Sequence, residues 1–298
     1  MDIVITYVNG SDPNWISQYQ QYNSTILKKR FDFQGQIFFL LKSIECYANW
    51  VNRIYIVHAN QEFTLDFLNQ SMQSKIRFVN HTEIIPIEHL PLFNSCAIEL
   101  FLWKIPDLSE NFLYLNDDVF FGNFVKLEYF IKGKPYIFAY RTESSPYAQT
   151  VAEQMYEATH RLFWDKISGP QVYLRDSHTV FNFKKSICQQ TSETFWGELH
   201  KTACMKVRTY DKYDAGITNR NLFCFITLCN LMMYQTGEGK IDSNDKGVFF
   251  GGLNQKEYKR LLKIRPNCFC INDLETEEDL YHWNKLQLSY FQSVCKLL

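Results

Sequence analysis

Phe112-Leu-Tyr-Leu-Asn-Asp-Asp-Val-Phe-Phe-Gly122 sets two short apolar runs on either side of an Asn-Asp-Asp cluster. Phe112 to Leu115 is apolar or aromatic throughout and too short for a helix, so it reads as a buried strand. Asn116, Asp117 and Asp118 then emerge at the carboxyl end of that strand, which is where open α/β sheets bind their ligands. Adjacent carboxylates at such a point can hold a divalent cation that bridges the phosphates of a nucleotide. The same residue types also favour a plain polar turn, through local hydrogen bonds. On this stretch alone both readings stand.

The amino terminus repeats the pattern. Asp2-Ile-Val-Ile-Thr-Tyr-Val8 is a β-rich run that leads into Asn9-Gly-Ser-Asp-Pro-Asn-Trp15. Gly10 permits a positive φ or the close approach of a ligand. Asp12 before Pro13 has the order of an N-cap followed by the first helical residue. Strand, glycine turn and helix start in succession present backbone N–H groups to a phosphate, although ordinary turns use the same residues.

Farther along, strands and helices alternate. Ile37, Leu40, Leu41 and Ile44 share one face of a helix from Gln36 to Tyr47. Arg53 to His58 and Ile76 to Val79 read as strands, and Asn94 caps a helix running to Trp103, with Pro106 marking its end. Tyr147 to Trp164 opens a less regular, helical insertion over the site. Glu198 to Cys204 and Asn221 to Tyr234 read as helices, the latter apolar and buried. Gly237, Gly239, Gly247, Gly251 and Gly252 predict a mobile loop from 237 to 252. Thr276-Glu-Glu-Asp279 is a capped start for a final amphipathic helix to Leu298. The fold expected is α/β: a Rossmann-like, mostly parallel sheet flanked by helices, with a helical insertion and a C-terminal helix.

These motifs, taken together, resemble the Stealth family of sugar-phosphate transferases. Asp2 to Pro13 is similar to the first conserved region of that family. Leu41-Lys-Ser-Ile-Glu45, Trp50-Val-Asn-Arg-Ile-Tyr-Ile-Val57 and Leu90-Pro-Leu-Phe-Asn-Ser-Cys-Ala-Ile-Glu99 resemble successive parts of the second, which closes with the Leu-Asn-Asp-Asp block. Ser177-His-Thr-Val-Phe181 is similar to the opening of the third region, with Val180 where a proline is usual, and Met205-Lys-Val-Arg208 resembles its closing arginine segment. That interval favours His178 over His160 or His200. Cys268-Phe-Cys-Ile-Asn-Asp273 looks like the fourth region, a strand ending in Asn-Asp.

The resemblance implies transfer of a sugar-1-phosphate from a nucleotide diphosphate sugar, of the UDP-N-acetylhexosamine kind, to a glycan hydroxyl in capsular or exopolysaccharide synthesis. Attack falls on phosphorus and releases a nucleoside monophosphate. It implies one catalytic domain over 1–298: a nucleotide-sugar-binding part (1–135), the insertion with the third region (136–207), and a helical part with the fourth (208–298). Asp117, Asp118, Asn272 and Asp273 would hold Mg²⁺ or Mn²⁺, with Asp118 also catalytic. Arg208 offers a planar fork for phosphate oxygens, and His178 would deprotonate the acceptor, since imidazole titrates near neutral pH. Thr6, Asn9, Gly10, Asp12, Asn94, Glu99 and Asn116 would bind substrate.

Composition bounds these expectations. A chain of 298 residues, 46% hydrophobic, can fill a sizeable core. A net charge of -1 gives no reason to expect nucleic acid or an anionic membrane as partner. No apolar run reaches the length of a membrane span, and peripheral association with a membrane is left open. Met1-Asp2 leads straight into the first strand, which leaves no room for a signal peptide. Nine scattered cysteines point to reduced thiols and a cytoplasmic setting. Asn23, Asn69 and Asn80 then match glycosylation acceptors by chance.

Cys268 and Cys270, alternate residues of a strand with no second pair at zinc-ligand spacing, read as core. So do Cys224 and Cys229. His58, His81, His89, His160, His200 and His282 carry no motif and read as structural or solvated. The rival enzyme class is a metal-dependent nucleotide-sugar glycosyltransferase, whose Asp-x-Asp motif also follows a strand; it does not account for His178, Arg208 and Asn272-Asp273. A third class is an inactive carbohydrate-binding relative, disfavoured by the retention of Asp117, Asp118, His178 and Arg208.

Overall fold

The computed structural model describes residues 1–23, 31, 34–142, 151–207, 222–241, 247–272 and 274–294. Thirteen strands lie among them: β1 (Asp2–Thr6), β2 (Ile54–His58), β3 (Ile76–Asn80), β4 (Asn111–Asn116), β5 (Val119–Phe121), β6 (Ile131–Lys132), β7 (Lys134–Ile137), β8 (Ala139–Thr142), β9 (Tyr173–Asp176), β10 (Phe181–Lys184), β11 (Lys240–Ile241), β12 (Val248–Phe250) and β13 (Cys268–Ile271).

The central sheet has the order β10-β4-β1-β2-β3. β4, β1, β2 and β3 are parallel, and β10 joins the edge antiparallel to β4. The expected α/β sheet is therefore present, and mostly parallel. β1, β2 and β4 are apolar on both faces, as strands covered on both sides must be. Ile3, Ile5, Ile54, Ile56, Leu113 and Leu115 enter one core cluster; Val4, Tyr55, Val57, Phe112 and Tyr114 enter the other. The other strands form smaller sheets, β12-β13-β5, β11-β7-β6 and β8-β9.

Several local expectations hold. Asp12 caps the helix Pro13–Gln20 through its carboxylate, which accepts the Asn14 N–H at 2.8 Å. The helix Gln36–Tyr47 has the expected bounds. Thr276 and Asp279 cap each other reciprocally ahead of the helix Glu277–Val294, beyond which the chain lies outside the described residues. Asn69 and Asn80, read above as chance sequon matches, are N-caps of the short helices Gln70–Gln73 and His81–Ile84.

Others are corrected. The helix capped by Asn94 ends at Glu99, and a 3-10 turn, Leu102–Lys104, takes over because N–H groups of Phe101, Lys104 and Ile105 bond three residues back. The helix expected from Glu198 begins at Lys185, hidden in the sequence by its Gln, Thr, Ser and Gly residues. The segment Tyr147 to Trp164 is helical from Val151 to Lys166, with 143–150 outside the described residues. The glycine-rich stretch 237–252 contains β11 and β12 rather than loop alone. No helix among the described residues is long and apolar enough to cross a membrane, and none of the eight described cysteines is in a disulfide.

Candidate active site

The chain runs from β1 through β2 to β3 and then returns to place β4 on the other side of β1. The strand order reverses between β1 and β4, and a crevice opens at such a switch point. Thr6 and Asn116 end these two strands and are register partners. A cleft of about 590 Å³ opens there, lined by Thr6, Asn116, Asp117, Asp118, Glu99 and His178 among others.

Asp117 and Asp118 form the turn in which the chain leaves the central sheet. β5 follows at once and pairs antiparallel with β13, and the Ile271 N–H donates to the Asp118 carbonyl at 3.0 Å. That pairing brings Asn272 into the cleft wall. His178 arrives from a third direction, on the turn between β9 and β10, with φ +53°. His and Asn tolerate this left-handed conformation better than most residues. Atoms of Asp118, His178 and Cys270 capable of metal ligation lie within 4.8 Å of one another. The Phe249 ring meets the His178 imidazole edge to face at 5.4 Å.

The remaining anticipated residues take several places. Tyr114 gathers three polar groups: its hydroxyl lies 2.8 Å from Asn116 Oδ1, 3.1 Å from Thr6 Oγ1 and 3.3 Å from Glu99 Oε1. Asn9, Gly10 and Asp12 stand behind the cleft wall. Gln61 donates to the Asn9 carbonyl and to Asp12 Oδ2, and its own carbonyl oxygen accepts the Asn9 N–H. A Cβ on Gly10 would meet the Phe31 carbonyl oxygen at 2.2 Å, so glycine is required for this approach. Asn94 is fully buried and donates to the Met205 carbonyl at 3.3 Å, while the Phe93 N–H donates to Lys206 O at 2.8 Å. The chain is thus pinned to the cleft wall up to Val207; Arg208 and Asp273 lie outside the described residues.

The electrostatics are those of enclosed carboxyls. Burial pushes Asp117 up to about 7, against hydrogen bonds from its own N–H and from Val8. Asp117 shows some surface to the cleft, but its carboxyl is enclosed by protein. Burial raises Glu99 to about 8, with the Tyr114 hydroxyl opposing and Asp176 reinforcing the rise. Asp176 rises to about 6 by burial, although Thr227 and Asn230 each donate to it at 2.6 Å. His81, also in the lining, is pushed down to about 4, chiefly by burial.

Tyr114, Asp176, His81 and Cys270 were not singled out as site residues in the sequence. Tyr114 and Cys270 sit inside apolar strands, where periodicity marks them as core. Asp176 and its partners on the helix Phe225–Gln235 are separated by 51 and 54 residues, so no local motif joins them. His160 is structural: its Nδ1 lies 2.7 Å from the Tyr156 carbonyl, and its Nε2 accepts the Leu174 N–H at 3.0 Å.

The residues fit a hard cation in part. Asp118 and Asn272 offer oxygen donors to a cleft that Asp117 also lines, and a cation there would offset the burial that raises Asp117. Cys270 and His178 are softer donors, poorly suited to Mg²⁺, which leaves the imidazole available for a proton.

A family model described as Stealth protein conserved region 2 matches residues 30–137. The capsular polysaccharide phosphotransferase fcs1 of Haemophilus influenzae is 31% identical over 307 residues, covering 95% of this chain and 81% of that protein. A capsular polysaccharide phosphotransferase of Actinobacillus suis is 29% identical, covering 98% of this chain and 82% of that protein. Among solved structures, galactosyltransferase LgtC in complex with donor and acceptor sugar analogs is similar at 11% identity and a TM-score of 0.44, covering 97% of this chain and 96% of that one. With a relative at this identity aligned along most of both chains, the protein belongs to the Stealth family of capsular polysaccharide phosphotransferases.

Proposed function

We propose that the chain transfers a sugar-1-phosphate from a nucleotide diphosphate sugar, of the UDP-N-acetylhexosamine kind, to a glycan hydroxyl in capsular or exopolysaccharide synthesis. The observation that carries this reading is the convergence of Asp118, Asn272 and His178 on the crevice between β1 and β4, in a member of this family. The acceptor oxygen attacks the phosphorus bearing the sugar, and His178 takes the hydroxyl proton. The bond from that phosphorus to the bridging oxygen breaks, and the nucleoside monophosphate leaves with the electron pair. Mg²⁺ or Mn²⁺, held by Asp117, Asp118, Asn272 and Asp273, would neutralise the diphosphate. Arg208 offers its fork to the phosphate oxygens. Thr6, Asn116 and Glu99 face the donor through the Tyr114 network, while Asn9, Gly10, Asp12 and Asn94 hold the walls. Residues 1–298 act as one catalytic domain, in the cytoplasm where nucleotide sugars are available.

The test is a product analysis with UDP-N-acetylhexosamines, Mg²⁺ and capsular glycan fragments. One nucleoside monophosphate should appear per phosphodiester formed. Asp118→Asn should lose at least about 10²-fold in turnover with its circular dichroism unchanged, the scale for removing a preorganised electrostatic partner. Nucleoside diphosphate with a plain glycoside would overturn the reading in favour of an ordinary glycosyltransferase.

A further inference from the structure

A second group of metal-ligating side chains lies away from the cleft. The helix Lys185–Ala203 ends with His200 in its last turn and Cys204 as its C-cap. This i, i+4 spacing puts two side chains on one helix face, as metal-binding helices do. His89, at the end of the 3-10 turn Ile87–His89, completes the group from the opposite side. Cys204 Sγ lies 3.9 Å from His89 Nδ1 and 3.7 Å from His200 Nε2, and the three ligand atoms all fall within 4.8 Å of one another.

These separations are close to those of a tetrahedral zinc centre. Bonds of about 2.3 Å to sulfur and about 2.05 Å to nitrogen, at the tetrahedral angle, put S and N about 3.6 Å apart. The sulfur–nitrogen pairs need to close by only a few tenths of an ångström. His200 is exposed, with its ring edge-on to Trp196 and His89, whereas His89 is 3% exposed and held against Phe101 and Trp196. Cys204 is exposed, so the fourth position faces water. A helix C-terminus favours a cation. Nearby Glu88 opposes the charges of Lys206 and Lys104, which also reach His89.

We propose that His89, His200 and Cys204 form a zinc site that fastens the end of the helix Lys185–Ala203 to the segment around Ile87–His89. The mixed imidazole and thiolate donors select Zn²⁺ over Mg²⁺. The site also bears on the cleft wall. Lys206, two residues past Cys204, donates to the Leu90 carbonyl at 2.9 Å, and its own carbonyl accepts from Phe93. Zinc would clamp the stretch that leads to Arg208 without touching the reacting atoms.

The experiment titrates Zn²⁺, and Co²⁺ as its coloured substitute, into metal-free, thiol-reduced full-length protein. The parent should bind one equivalent tightly, show a thiolate-to-cobalt charge-transfer band, and gain melting temperature with zinc. Cys204→Ser and His200→Ala, both at exposed positions, should lose the band and the thermal gain while keeping the parent's circular dichroism. His178→Asn, which disrupts the other described cluster, Asp118–His178–Cys270, should keep both. Absence of the band in the parent would overturn the proposal. So would its persistence in Cys204→Ser, or its loss in His178→Asn alone, which would assign the metal to the cleft.

Discussion

Asp117 and Asp118 are adjacent in the sequence but face different surroundings. The Asp117 carboxyl accepts hydrogen bonds from its own N–H and from Val8, which ties the β4 turn to the loop after β1. Asp118 stands instead with His178 and Cys270. The raised pKa of Asp117 has a definite consequence for stability. Between the usual carboxylate value near 4 and about 7, the folded state holds a proton that the unfolded state has lost, so stability falls as pH rises through this window and then levels off. Asp117→Asn keeps an acceptor for Val8 and removes the ionisation. Its melting temperature should gain on the parent from about pH 4 to pH 7, with the gain constant above; thermal melts running parallel across that range would contradict the assignment. For His178 the backbone decides the choice of variant. At φ +53° an alanine is strained, whereas asparagine is tolerated, so His178→Asn removes the imidazole with the turn intact. Turnover should fall by about 10²- to 10⁴-fold, the range for a lost general base, while donor affinity measured by calorimetry stays within a few fold. At this scale the Asn-Asp-Asp cluster was legible because it interrupts two apolar runs. Glu99 was legible only through family resemblance, and Tyr114 and Asp176 only through their partners, which are distant in the chain.

Elements bring these residues together, and the loops after β1 and β4 depend on close backbone approach. The Gly10 N–H donates to the Phe31 carbonyl at 3.0 Å, at a spacing that leaves no room for a side chain. Gly10→Ala must push Phe31 away from the Trp15, Tyr19 and Phe93 cluster that it packs against. A loss of about 1–3 kcal/mol is expected, the usual range for overpacking, together with weaker donor binding. Chemical denaturation checks the first and calorimetry the second; a variant as stable as the parent would show that the loop has another resting place. The Asp12–Pro13 helix start was readable because cap and first-turn residues are local signals. The turn bearing His178 was harder to read. Val180 stands where the resemblance leads one to expect a proline, and it is 1% exposed and packs in the core, so burial fixes this side of the turn. The helix Lys185–Ala203 escaped notice in its first three turns because Thr191 and Ser192 are buried where apolar residues mark a helical face.

Over the whole molecule, the parallel sheet was the most legible feature, since its inner strands β1 and β2 and the neighbouring β4, buried on both faces, are written as nearly continuous apolar runs. The joining of distant segments to it was not. β10 reaches the sheet edge from residues 181–184, β13 pairs with β5 across about 150 residues, and Trp283 of the last helix packs against Phe39 and Phe120. Trp283 also donates to the Gln34 carbonyl at 2.9 Å, at the start of the helix Gln36–Tyr47. Such contacts have no local signature, because they follow from the packing of the complete chain. The same packing makes the cleft a joint product of all parts of the sequence, with walls from residues 6 to 275. The central claim is that this cleft directs attack to phosphorus, and one isotope measurement addresses it directly. A donor carrying ¹⁸O in the bridge between the anomeric carbon and its phosphorus is turned over with acceptor glycan, and both products are weighed by mass spectrometry. The account predicts that the label stays with the sugar, as the C–O–P bridge of the new phosphodiester, and that the released nucleoside monophosphate is unlabelled. Label recovered in a nucleoside diphosphate would mean that the anomeric carbon was attacked, and would contradict it.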